Sequence, residues 1–126
     1  MTVSDVRSYR DLVVWQKAMD MAVAVYELTK AYPKDEMFGL TSQSRRAASS
    51  VAANIAEGYG RSSKQTYINF LRIAQGSLKE LETHLILATR VGIAGQAPVD
   101  TLLGQADEIG RMLRALILKL EDHPGR

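Results

Sequence analysis

Residues 40–61 read LTSQSRRAASSVAANIAEGYGR, and this stretch indicates a helix that neighbouring helices approach closely. Its alanines cover several sides of one helix with nothing larger than a methyl group: Ala47, Ala48, Ala52, Ala53 and Ala56. The distance between packed helices depends on the side chains at their contact, so small residues allow a short one. The stretch therefore predicts a helix that packs on more than one side.

Asn54 and Glu57 add polar groups to this crowded helix. An unpaired buried polar group costs a few kcal/mol, so we expect a defined polar network around the two side chains. Glu57 also stands four residues before Arg61, the spacing of an ion pair along one helix face.

Outward from this stretch, prolines and glycines divide residues 1–126 into four helices of one domain. Pro33 and Pro98 stand where helices end or begin. The predicted helices cover residues 11–31, 38–59, 62–91 and 98–121.

Residues that commonly cap helices support these limits. Asp11 is the expected N-cap of the first helix, and Ser62 with Gln65 forms a capping box for the third. Gly58 and Gly60 are expected to end the second helix.

Apolar residues in the last two helices alternate steps of three and four, which is the spacing of a bundle seam. The third helix carries Tyr67, Leu71, Ala74, Leu78, Leu81, Leu85 and Ala88, and the fourth carries Val99, Leu102, Ala106, Ile109, Leu113, Leu116 and Leu120. The predicted fold is an all-α, up-and-down antiparallel four-helix bundle.

The first helix has two apolar stripes, which together span roughly 200° where about 100° serves one core. We therefore expect a homo-oligomer whose interface contains Val14, Met21, Val25 and Leu28 of this helix, together with Ile73, which lies outside the core arc of the third helix. The alternative is deeper burial of these residues inside one subunit.

Positive charge is concentrated in residues 37–79, which hold six basic residues and one acidic residue, although the whole chain has a net charge of only +2. The six are Arg45, Arg46, Arg61, Lys64, Arg72 and Lys79. A basic face can follow nucleic-acid phosphates, so the chain is predicted to bind RNA or DNA non-specifically. The alternative is a solvated surface.

The turn at residues 58–63 leaves two interpretations open. Free backbone N–H groups at the start of the third helix could bind an anion, or the turn could serve only to end one helix and cap the next.

Residues of the kinds used in catalysis or metal binding are few and poorly spaced, so we expect neither an enzyme nor a metal or cofactor site. The chain has no cysteine, and His84 is four and two residues from Glu80 and Glu82, whereas bundle metal sites use a Glu-x-x-His spacing. Without an apolar leader or a run of about eighteen apolar residues, we expect a cytoplasmic protein with no membrane partner.

Four segments resemble one known family, the four-helix-bundle proteins encoded by intervening sequences in bacterial 23S rRNA genes. The resemblance lies in DLVVWQKA at 11–18, FGLTSQ at 38–43, NIAEGYGR at 54–61 and FLRIA at 70–74. It implies a ring-like homo-oligomer, often a pentamer, with no established enzymatic activity. A more distant similarity is to the accessory variability determinant of diversity-generating retroelements, which implies an alternative role as a scaffold recruiting a protein such as a nucleic-acid polymerase.

Overall fold

The computed structural model describes residues 6–122, in which four long α-helices follow one another without a strand. The helices are α1 (Val13–Thr29), α2 (Ser42–Tyr59), α3 (Lys64–Arg90) and α4 (Gln96–Glu121). A 3-10 turn precedes α1, and a 3-10 turn followed by a π-helical turn joins α1 to α2. The predicted all-α bundle is confirmed.

Contacts between side chains show that neighbouring helices run in opposite directions. Near the start of α3, Arg72 bonds Glu121 at the end of α4, and Arg45 in the first turns of α2 bonds Thr29 at the end of α1. Each helix packs on its sequence neighbours, and α4 also packs on α1. The bundle is therefore of the up-and-down type.

The first and third helices begin with different caps from those predicted. Asp11 closes the 3-10 turn before α1, because its carboxylate accepts a hydrogen bond from the Arg7 backbone N–H at 2.9 Å. Leu12 is the N-cap residue of α1 and supplies no side-chain bond. For α3 the cap is Ser63, one residue later than predicted, and its hydroxyl accepts from the Thr66 N–H at 3.2 Å.

Gly58 lies inside α2, where it allows close contact with α3, and does not end the helix as predicted. A Cβ atom at this position would be 2.7 Å from the Cβ of Phe70 and 3.3 Å from the backbone oxygen of Tyr67. Such distances are far inside van der Waals contact, so a larger residue would force α2 and α3 apart.

The core is formed by one apolar stripe from each helix. The predicted stripe of α3 is buried from Leu71 to Ala88, and Tyr67 packs against its edge. In the last turns of α4 the fully buried residue is Ile117, whereas Leu116 is partly buried.

The structure contradicts part of the predicted oligomer interface. Val14, Met21 and Val25 are 5%, 0% and 0% exposed because α1 lies between α2 and α4 and turns this stripe into the core. Leu28 is partly buried against the same core, and Ile73 is exposed. These first three residues are therefore core residues with no surface to offer a second subunit.

Candidate functional site

The six basic residues predicted to contact phosphates lie on different sides of the bundle. Arg45 is on the α1–α2 side, where its Nε donates to the Thr29 hydroxyl at 2.8 Å. Its guanidinium also lies 4.6 Å from the centre of the Tyr26 ring. Arg45 is thus half-buried and joins two helices.

Arg46 follows directly in sequence but faces α3. Its Nη2 donates to Glu80 at 2.9 Å and to Gln43 at 2.6 Å. Because adjacent helical residues point about 100° apart, the Arg45–Arg46 pair cannot form one cationic surface.

The turn between α2 and α3 holds the next two basic residues. Arg61 forms the predicted ion pair with Glu57 at 2.7 Å, and its guanidinium also lies 5.1 Å from the centre of the Phe70 ring. Lys64 begins α3 and is half-buried. Ser63 caps the first turn of α3, so helix capping is one role of this turn.

Arg72 and Lys79 are exposed on the α3–α4 side of the bundle. Arg72 pairs with Glu121 at 2.7 Å, and Lys79 pairs with Glu82 at 3.2 Å. Of the six, these two lie on the side formed by α3 and α4.

The carboxylates that face these cations belong largely to later parts of the chain. Glu80, Glu82 and Glu121 all lie outside residues 37–79, so the positive excess of that segment is partly neutralised in three dimensions. Exposed ion pairs contribute about 0–1 kcal/mol, so a phosphate could replace a carboxylate at small cost.

A polar groove of about 410 Å³ runs between α3 and α4 beside Lys79. We call it the α3–α4 groove, and its lining includes Gln75, Leu78 and Lys79 of α3 and Asp107, Gly110, Arg111 and Arg114 of α4. Arg111 pairs with Asp107, whose hydrogen bond and charge raise the pKa of the guanidinium.

Sequence reasoning missed Arg111 and Arg114, although a signal was present. With Asp107 they occupy positions i, i+4 and i+7, which lie on one helix face. Pairing α3 and α4 antiparallel would have placed that face beside Lys79.

A second, apolar groove of about 630 Å³ lies between α1 and α2. This α1–α2 groove is lined mainly by Trp15, Met19, Val23, Tyr26, Ala52 and Ala56. Met19, Val23 and Tyr26 are 40%, 58% and 45% exposed. The second apolar stripe of α1 is therefore real, but the outward-facing residues are these and not Val14, Met21 and Val25.

The predicted polar network forms without Glu57. The Asn54 side chain donates to the backbone oxygen and hydroxyl of Ser50 at 2.8 and 3.0 Å. The Ser50 hydroxyl is 2.8 Å from that of Ser77, which ties α2 to α3. Glu57 is exposed and bonds Arg61, as described above, so the two predicted residues serve separate purposes.

Apart from Arg111, the titratable groups with shifted pKa values are two tyrosines in packed positions, Tyr32 and Tyr67. Burial raises the pKa of Tyr67 to about 12, and the neighbouring Tyr59 adds to the shift. The two rings meet edge to face, 6.1 Å apart. Tyr67 is therefore neutral at physiological pH and acts as a packing residue.

Within residues 6–122, no group of three or more His, Cys, Asp or Glu side chains is placed to hold a metal ion. His84 Nε2 lies 3.6 Å from a Glu80 carboxylate oxygen, and this pair is not part of a larger group of that type in residues 6–122. In the same part of the chain, no helix is both long and apolar enough to cross a membrane.

The fold and these surfaces define a class of small four-helix-bundle proteins with polar and apolar grooves between the helices. Residues 10–115 match the family of 23S rRNA-intervening sequence proteins, and the chain belongs to that family. A crystal structure of a protein of unknown function from the S23 ribosomal protein family of Bacteroides thetaiotaomicron is similar. The two are 27% identical with a TM-score of 0.75, over 83% of this chain and 98% of the other. No curated protein matches the sequence significantly.

Proposed function

We propose that this protein is a non-enzymatic, cytoplasmic bundle that assembles as a homo-oligomer and binds RNA or DNA non-specifically through its basic residues. The observation that carries the proposal is the exposure of three predicted contact residues. The side chains of Arg46, Arg72 and Lys79 are 61%, 53% and 77% exposed, and each forms a surface ion pair; Arg46 also donates to Gln43. Such side chains can exchange a carboxylate for a phosphate, releasing counterions from the nucleic acid.

Self-association would strengthen binding, because each subunit of the assembly repeats the same weak site. A ring, with a pentamer favoured by the family resemblance, would present each basic surface once per subunit. Contacts on several subunits raise the effective concentration of the nucleic acid at each remaining site. The modest net charge of +2 per chain is then compatible with useful affinity.

The experiment is fluorescence anisotropy of labelled RNA and DNA across about 50 to 300 mM salt. The test variant carries Arg72→Glu and Lys79→Glu together. We expect the wild type to bind with a steep salt dependence. In the variant the slope of log K against log salt should fall in magnitude by about 1.8 for duplex DNA per contacting subunit, because each subunit loses two phosphate contacts.

The matched control changes Lys17 and Lys34 to glutamate, which alters the net charge equally at positions outside α3 and outside the α1–α2 groove. The side chain of Lys17 is 41% exposed in an ion pair with Glu108 at 3.4 Å, and Lys34 is exposed. Equal losses in the two variants would attribute binding to overall charge and contradict a role for Arg72 and Lys79.

The second candidate is a scaffold that recruits a protein such as a nucleic-acid polymerase. The α1–α2 groove favours it, because an apolar surface with exposed Met19, Val23 and Tyr26 is typical of interaction sites. Failure of the wild type to bind RNA or DNA even at the lowest salt would favour this candidate over the first.

A further inference from the structure

We infer that the α3–α4 groove binds a backbone phosphate of the nucleic acid, and that Arg111 and Arg114 hold it together with Lys79. This inference rests on the proposed function and adds to it the place of binding and two contact residues. Neither arginine belongs to the basic segment at residues 37–79.

The groove brings cations from two helices into one space. Lys79 projects from α3, and Arg111 and Arg114 stand three residues apart on α4. Asp107 is the acidic residue of the lining, so three cations share a groove with one carboxylate. Outside the lining, Glu82 pairs with Lys79, and Asp107 pairs with Arg111, so the positive excess that an anion would neutralise rests on Arg114.

Arg114 is the residue best placed to receive that anion. It lines the groove, is exposed, and has no hydrogen bond or ion pair within residues 6–122. By contrast, Arg111 is paired with Asp107, and Lys79 with Glu82. A guanidinium offers two parallel N–H donors that match two phosphate oxygens, so Arg114 can bind without breaking an existing bond.

Leu78 and Gly110 belong to the groove lining and add no charge to it. Gly110 contributes no side chain, and a Cβ atom there would be 3.4 Å from Cδ2 of Leu78. Gln75 adds an uncharged hydrogen-bonding group to the same lining. Beyond the groove, Glu121 holds Arg72 and places a carboxylate near the end of α4. A local phosphate contact therefore fits better than a long strand following the whole groove.

The test compares Arg114→Gln with Arg7→Gln, which removes the same charge from an exposed residue before α1. The probe is a labelled oligouridylate of about 20 nucleotides, with anisotropy measured from about 50 to 300 mM salt. We expect Arg114→Gln to weaken binding several-fold and to reduce the magnitude of the salt slope by about 0.7 per subunit contacting the strand. Arg7→Gln should leave the slope unchanged, and Arg114→Lys should restore most of it.

The outcomes separate this inference from the proposed function. If the wild type binds and Arg114→Gln behaves like Arg7→Gln, the α3–α4 groove is not the binding place, whereas nucleic-acid binding stands. If the wild type does not bind at the lowest salt, both proposals fail. Thermal unfolding followed by circular dichroism checks that each variant is folded.

Discussion

At the scale of single residues, the structure separates arginines that hold the bundle together from arginines that remain available on its surface. Arg45 and Arg46 are adjacent in sequence yet differ in this respect. Arg45 bonds Thr29 and stacks on Tyr26, whereas Arg46 reaches an exposed carboxylate on Glu80. Position in a basic segment therefore says little about whether a given charge can meet a ligand.

Arg45→Ala should lower the free energy of unfolding by about 1–2 kcal/mol, because it removes a charged hydrogen bond and a cation–π contact. Arg46→Ala is the matched control and should cost less than about 1 kcal/mol, the usual limit for an exposed ion pair. Urea unfolding of both variants measures the difference. Equal losses would show that the Thr29 and Tyr26 contacts contribute little.

At the scale of helices, close packing of α2 on α3 depends on a glycine, whereas Gly76 in α3 and Gly104 in α4 have open space around them. Gly58 is enclosed by Phe70 and Tyr67. A methyl group added at Gly104 in α4 would have no neighbouring atom within 4 Å beyond its own stretch of helix. Replacement of glycine by alanine should therefore change the stability of the protein in opposite directions at Gly58 and Gly104.

We expect Gly58→Ala to destabilise the protein by about 1–3 kcal/mol, since the added methyl group overpacks the α2–α3 contact. Gly104→Ala should stabilise it by up to about 1 kcal/mol, because alanine has the higher helix propensity. Thermal and urea unfolding measure whether each variant is less or more stable than the wild type. A stable Gly58→Ala variant would mean that α2 and α3 can separate at little cost.

The sequence could not always predict which face of a helix turns toward the core. The stripe from Leu71 to Ala88 was predictable because its three-four spacing continues without a break along α3. In α1 two apolar stripes compete, and only packing against α2 and α4 decides that Met21 is buried and Met19 is exposed.

The candidate site was less predictable than the fold, because charge pairing depends on residues far apart in the chain. Arg72 and Glu121 are 49 positions apart and meet only when α3 and α4 are paired. Counting charges along residues 37–79 could not include that carboxylate. Arg111 and Arg114, by contrast, could have been placed on this side from their spacing in α4 and the antiparallel pairing of α3 with α4.

At the scale of the whole molecule, the apolar α1–α2 groove is the surface that we expect to bury against another subunit. Its exposed residues Met19, Val23 and Tyr26 lie on one side of α1. Removing such side chains from water stabilises an assembly roughly in proportion to the apolar area covered.

Val23→Glu should therefore lower the mass measured by light scattering toward that of one 13.9 kDa chain. A charge in a buried interface is costly, whereas the same charge on the free surface is not. Val91→Glu is the control, because Val91 is similarly exposed at the end of α3 and lies outside the groove lining. An unchanged mass for Val23→Glu would exclude this groove as the interface.

The pairing of surface cations with carboxylates of the same chain also has a kinetic consequence. Paired charges nearly cancel at distances beyond the Debye length, about 8 Å at physiological ionic strength, so the bundle projects little attraction into the surrounding solution. An approaching polynucleotide would then meet the protein at an unassisted rate and gain its favourable contacts only after touching it. Salt would act chiefly on how long the complex lasts, and much less on how often it forms.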